Sequence, residues 1–256
     1  MNPTDPIFIG PKKKGKLRET FESLFVAFLI AFFIRSFVIE AFKIPSGSMK
    51  PTLLVGDHIF VNKFIYGLRI PFTKKRIVNY KTPERGEAIV FIYPLDEGKD
   101  FIKRVVGLPG DQIRLSGDEI YVNRTPIARS ALKIESGQKH DLALIPVVRD
   151  AVADEAKIKA IPYSPDWENF SYFSESQGRN QYLVQIDSNP SYWNGEFAVP
   201  PHHLFVMGDN RDNSSDSRDW GFVPMENVKG RAMFVWLSLD SDRKTLRWDR
   251  FGKWIH

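Results

Sequence analysis

Residues Leu24–Ile34 form an unbroken apolar run of eleven. With no polar face, such a run cannot lie on the surface of a soluble domain, so it limits this chain more than any other segment. Alone it is too short to cross a bilayer. Widened to Phe21–Phe42 it has 22 residues, about 33 Å as a helix, which spans. The wider segment takes in Arg35 and Glu40 near its far end, where Arg35 can snorkel to the interface. Ahead of it, Lys12, Lys13, Lys14, Lys16 and Arg18 outweigh Asp5 and Glu19, so residues 1–20 carry +3 of the chain's net +5. A basic arm before an apolar helix marks the side that stays in the cytoplasm. A cleavable signal peptide has the same outline, but residues 35–41 offer no Ala-x-Ala site. The expectation is an uncleaved single-pass anchor, with the amino end inside and everything from about residue 43 outside.

The residues after the first 20 carry only +2 of the charge, which argues against nucleic acid as a partner. Zero cysteines excludes disulfides, thiolate metal sites and cysteine catalysis. Past the anchor, 57–64, 86–93 and 99–107 read as strands rich in Ile, Val, Phe and Tyr, and 112–115 with 119–123 as a hairpin. Residues 124–200 are polar with scattered aromatics and weak periodicity, the mark of an inserted subdomain or long loops. A strand at 204–207 leads into the polar loop 208–221, and 227–239 supplies a last strand or two. The fold class expected is mostly β behind one membrane helix. The divisions expected are 1–20 basic cytoplasmic arm, 21–42 transmembrane helix, 43–123 with 201–256 catalytic β domain, and 124–200 inserted subdomain.

Ser48 lies in Pro45-Ser46-Gly47-Ser48-Met49, about six residues beyond Phe42, within ~20 Å of the bilayer at ~3.3–3.6 Å per residue. A hydroxyl needs a base to act as a nucleophile. The histidines His58, His140, His202, His203 and His256 show no arrangement that selects one, and a histidine-based triad stays open. Lys103 shares a strand face with Phe101 and Val105, a setting in which burial would lower its pKa toward neutrality. The competing expectation is a lysine on the solvated face of an edge strand. The loop from Gly208 to Gly221 fails as a calcium loop: Arg211, Ser214 and Trp220 stand where that pattern needs an acid or amide, a glycine and a glutamate. It reads either as a solvated turn or as a rigid loop bracing an active site.

Three segments, Pro45–Met49 with Pro51-Thr52-Leu53, Lys103–Asp111, and Gly208–Arg218, together resemble the bacterial type I signal peptidases, Ser/Lys-dyad proteases of the S26 type. Arg85-Gly86-Glu87 looks like a further family box. The resemblance implies a β-rich catalytic core with an inserted β subdomain. It implies Ser48 as nucleophile, Lys103 as general base, and the Ser46 hydroxyl with the Ser48 backbone N–H as oxyanion hole. Ser214 would orient the Lys103 amine, Asp216 and Arg218 would hold the loop, and Asp209 would pair with Arg104. Phe42, Ile44, Met49, Leu53, Phe101 and Ile102 would line small substrate pockets, hence Ala-x-Ala before the cut. Phe101 departs from relatives that carry tyrosine there. No cofactor or metal is implied. The implied partners are preprotein signal peptides and the lipid bilayer, with contact to the secretion translocon left open. The implied location is the bacterial inner membrane, with the catalytic domain on the periplasmic side. Two other readings are a self-cleaving repressor-like Ser/Lys protease, which lacks an anchor, and a tethered β-domain that only binds. The apolar stretch Phe64–Phe72 is expected to dip into the outer leaflet.

Overall fold

The computed structural model describes residues 15–70, 73–134, 144–148, 160–162, 166–240 and 243–256. The apolar segment is helix α1 (Lys16–Phe33), continued by a π-helical turn over Ile34–Val38. None of α1 is buried against the rest of the chain, and the 23 residues Lys16–Val38 are long and apolar enough to cross a membrane. The chain then changes character. Strand β1 (Ile39–Lys43) pairs antiparallel with β2 (Asp57–Asn62), setting Phe42 opposite Ile59. This corrects the expected helix over 21–42 at both ends. Residues 16–20, assigned to the arm, are the first helical turns, while 1–14 lie outside the described residues. Residues 39–42 leave the helix because β2 offers an edge of backbone N–H and C=O groups that need partners. Glu40 belongs to that edge, with Lys63 at 3.3 Å.

Beyond α1 the protein is mostly strand, as expected. A hairpin of β3 (Gly67–Arg69) and β4 (Arg76–Asn79) stands apart from the main sheet. That sheet runs in the order β1, β2, Val228–Asp240, β5 (Ala88–Ile92), β6 (Asp100–Gly107), His203–Met207 and Val223–Pro224, every pair antiparallel. The segment read as a last strand or two is one strand of 13 residues, pairing with β2 on one side and β5 on the other. Shifts of register along it let so long a strand curl around the core. Ile59, Val61, Val90 and Val235 face that core together with Ile255 from the last residues of the chain.

The hairpin expected at 112–123 is present as β7 (Gln112–Gly117) and β8 (Glu119–Val122). The expected limits of the insertion, 124–200, shrink from both sides. Thr125–Pro126 extends the sheet beyond β8, and Trp193–Ala198 pairs with the free edge of β7. Asn194 and Gly195 weaken the strand pattern there, so only the open edge of β7 reveals it. Between these strands, Ala128–Ala131, Phe170–Gln177 and Asn180–Asp187 form a separate three-stranded sheet.

In the stretch 64–72, Tyr66 is core, and its hydroxyl donates to Glu87 at 2.7 Å. Phe64 and Ile70 are exposed, and 71–72 lie outside the described residues.

The chain's end is tied in by charge. Arg250 and Asp57 are both fully buried and joined through Nε at 2.9 Å, while Arg250 Nη2 donates to the Thr52 carbonyl at 3.0 Å. Arg250→Ala strands a buried carboxylate, so urea unfolding should show a loss of about 3–5 kcal/mol. A loss below about 1 kcal/mol would mean that this pair does not hold the end of the chain.

Candidate active site

The connection from β1 to β2 is anchored at both ends. Ile44 N–H donates to the Asp57 carbonyl at 2.8 Å, and Gly56 N–H donates to the Ile44 carbonyl at 3.0 Å. Between these bonds Met49 and Leu53 are wholly buried, and burying two large apolar side chains fixes the turn that carries Ser48. Ser48 is half-buried and Ser46 exposed, their hydroxyl oxygens 3.4 Å apart.

Lys103 reaches this turn from the middle of β6. Its Nζ donates to Ser48 Oγ at 2.6 Å. The side chain is only 4% exposed, with Nζ 5.8 Å from the centre of the Phe101 ring. The solvated-face expectation for Lys103 is therefore excluded. Burial pushes the amine down to about 8, while the Asp216 carboxylate pulls it up and Arg218 opposes that pull. No histidine bonds to Ser48 among the described residues; His58 packs edge-on against Trp236, and His140 lies outside them.

The polar loop is the third component. The buried Asp216 carboxylate accepts the Ser214 hydroxyl at 2.8 Å, Gly208 N–H at 2.9 Å and Arg218 Nε at 2.8 Å. It also caps the one-turn helix Ser217–Trp220. The expected bond between Ser214 and Lys103 is not formed; the Ser214 hydroxyl is directed to Asp216 instead. Asp209 pairs with Arg104 as expected, with Nε–Oδ1 at 2.7 Å and Nη2–Oδ2 at 2.6 Å and neither side chain exposed. Thr52 donates its hydroxyl to the same carboxylate. Asn210 closes the loop onto the Ser48 turn: its backbone N–H donates to the Ser48 carbonyl and its side chain to the Gly47 carbonyl, each at 3.1 Å.

The expected pocket residues divide. Phe42, Phe101 and Ile102 are half-buried and keep accessible surface, while Ile44, Met49 and Leu53 are core and can shape a pocket only from beneath. Sequence reasoning passed over Thr52, Asn210 and Arg211, all inside segments already singled out. It also passed over Glu175, which carries no signal in its own stretch. The site's carboxylates are engaged by arginines, hydroxyls and backbone N–H groups. Among the described residues no cluster of His, Asp and Glu is placed to hold a metal.

The family described as signal peptidase, peptidase S26, matches residues 17–237. This chain belongs to that family. A signal peptidase I of Pseudomonas fluorescens is 38% identical over 237 residues, 88% of this chain and 74% of its own length. That of Rickettsia typhi is 37% identical over 239 residues, 89% of this chain and 83% of its own length. A solved signal peptidase I from Enterococcus faecalis superposes with a TM-score of 0.30 at 22% identity, covering 60% of this chain and 98% of that one. Membership of the S26 family makes the protein a peptidase.

Gly208 sits where the loop presses on the Ser48 turn. A Cβ there would overlap the Ser48 carbonyl oxygen and the Ser214 hydroxyl. Gly208→Ala should therefore cut peptidase turnover by about a hundredfold, since small displacements of a reacting group are that costly. Turnover within about threefold of the parent would show that the loop and Ser48 can separate freely.

Proposed function

We propose that the chain is a membrane-anchored serine endopeptidase that removes signal peptides from preproteins after small-x-small sites such as Ala-x-Ala. The observation that carries this reading is Lys103 Nζ at 2.6 Å from Ser48 Oγ on a buried strand. With the amine neutral, Ser48 Oγ attacks the carbonyl after the signal peptide's last residue and its proton passes to Lys103 Nζ. The oxyanion meets the Ser48 backbone N–H and the Ser46 hydroxyl, which the short spacing between the two serines supports. Lys103 then gives its proton to the leaving amine as the C–N bond breaks, leaving an acyl ester on Ser48. Water attacks that ester, its proton passes to Lys103, and the Ser48 oxygen is reprotonated as the signal peptide leaves.

Asp216 and Arg218 hold the loop, Asp209 holds Arg104, and Ser214 acts as a brace through Asp216. Phe42 and Ile102, packed on Ile44, Met49 and Leu53, offer an apolar surface suited to small side chains, while Phe101, packed on a separate apolar cluster, walls the Lys103 amine. The amino end stays in the cytoplasm, Lys16–Val38 spans the inner membrane, and the catalytic domain stands on the periplasmic side. Lys16 and Arg18 at the start of α1, and its uncovered apolar surface, support that topology. The catalytic domain comprises 43–126 and 193–256, with the insertion between. Exposed Phe64, Ile70 and Ile77 provide apolar contact with the outer leaflet.

The test uses full-length protein in detergent with a preprotein bearing an Ala-x-Ala site. Ser48→Ala and Lys103→Met should each abolish cleavage. Parent kcat/KM should rise with pH through about 8 as the amine loses its proton. Full activity in Lys103→Met would sink the dyad.

The same shift has a stability consequence. Because the folded-state pKa of Lys103 is lowered, the unfolded chain binds more protons between about 8 and the ordinary lysine value, so its contribution to stability rises with pH across that window. At pH 7 the protonated amine costs about 3 kcal/mol, from a drop of 10.5 to about 8. Lys103→Met should therefore unfold at higher urea than the parent at pH 7, and the gap should close above pH 10. A variant less stable at pH 7 would contradict the burial argument.

A further inference from the structure

The separate sheet of the insertion is bound to the catalytic loop by a charge cluster that the proposed chemistry does not use. Glu175, toward the end of Phe170–Gln177, is fully buried. Its Oε1 accepts Arg211 Nη1 at 2.6 Å and Arg129 Nη2 at 2.8 Å, and its Oε2 takes the other arm of Arg211. Burial works to raise the Glu175 carboxyl, but Arg211 and Arg129 overcome it and hold it below the usual range. A carboxylate held between two guanidinium groups leaves little freedom to either arginine, since the Arg211 contact is bidentate.

The contact continues along the backbone. Gln185 N–H donates to the Asp209 carbonyl at 2.9 Å and Arg211 N–H to the Gln185 carbonyl at 3.0 Å, so the loop is clamped to the insertion on both sides of Asn210. Asp212 extends the clamp, accepting the backbone N–H groups of Asp187 and Ser191, each at 2.9 Å. Asn210 is the residue that grips the Gly47 and Ser48 carbonyls. A continuous set of bonds thus runs from Glu175 through Arg211 and Asn210 to the nucleophile.

We propose that Glu175 is a positioning residue for the peptidase reaction, setting the Ser48 turn through Arg211 and Asn210, so that the insertion is part of the catalytic apparatus. The inference rests on Ser48 as nucleophile, as argued above. It has a consequence that a merely stabilising pair would lack. A buried ionic cluster is energetically replaceable by apolar side chains, whereas the loop geometry it imposes is not.

The experiment compares the full-length parent, Glu175→Gln and the triple variant Arg129→Met/Glu175→Met/Arg211→Met. Each is assayed in detergent on an Ala-x-Ala preprotein, at least about 15 °C below its own melting temperature so that the folded form dominates. Glu175→Gln should lower kcat by about tenfold to a hundredfold with KM within about twofold, as expected for a displaced reacting group. The triple variant should recover the melting temperature to within about 3 °C of the parent while kcat stays low. If Glu175→Gln keeps kcat within about twofold of the parent, or if the triple variant recovers melting temperature and kcat together, the positioning role is wrong. Should Glu175→Gln fail to fold, the triple variant decides alone: slow turnover supports the role and parental turnover overturns it. A Ser48→Ala arm separates the two levels, because cleavage by that variant would remove the nucleophile itself while leaving the Glu175 measurements readable.

Discussion

Arg104 and Asp209 meet with no solvent access to either side chain, and three parts of the chain take their relative positions from that contact. Arg104 follows Lys103 on β6, so holding its guanidinium fixes the strand that delivers the amine. Asp209 heads the polar loop, and its carboxylate also accepts the Thr52 hydroxyl from the segment that carries Ser48. The Tyr182 ring, from the insertion, lies 4.0 Å from the guanidinium carbon. A buried pair of this kind adds little net stability, but loss of either partner strands a charge in the interior. Its contribution is therefore to geometry: β6, the loop and the Ser48 turn cannot shift independently.

The same interior treats its cations in opposite ways, and the partner decides. Arg104 faces Asp209, Arg218 faces Asp216, and Arg211 faces Glu175, so each guanidinium has a carboxylate that offsets its lost hydration. Lys103 is buried as they are, yet the group within hydrogen-bond reach of its amine is the neutral hydroxyl of Ser48. Desolvation then prevails and the amine drops toward neutrality. Asp216 is close enough to oppose that drop, but its oxygens are engaged by Ser214, Gly208 and Arg218. With its oxygens bound in this way, the Asp216 carboxylate makes no direct ion pair with the Lys103 amine.

Much of this was legible from residue order alone. Alternation along β6 placed Lys103 among apolar neighbours, and the run at Leu24–Ile34 marked a helix that needs lipid. The loop at Gly208–Gly221 stood out by its density of Asp, Asn and Arg, although residue order alone left it open between a solvated turn and a rigid brace. What escaped was mostly pairing. Ile39–Lys43 continues the apolar character of the helix and becomes a strand only because β2 lies alongside. Trp193–Ala198 looks like loop and joins the β7 edge. Glu175 sits in the polar string Ser174-Glu175-Ser176-Gln177, which reads as surface until Arg211 and Arg129 are brought to it.

By itself the sequence determined the class of molecule: one helix too apolar for water, a β-rich body, and a serine, a lysine and a polar loop in the order of the S26 peptidases. The helix and the β-rich body are local properties, set by side-chain chemistry and by periods of 3.6 and two residues, and the order of serine, lysine and loop is read from its resemblance to the family. Only the tertiary structure decided that Lys103 faces Ser48 and not solvent, that Ser214 bonds Asp216 and not the amine, and that the insertion is clamped to the loop behind Ser48. Each of those depends on which groups lose water together, and desolvation is a property of the folded neighbourhood, not of the residue.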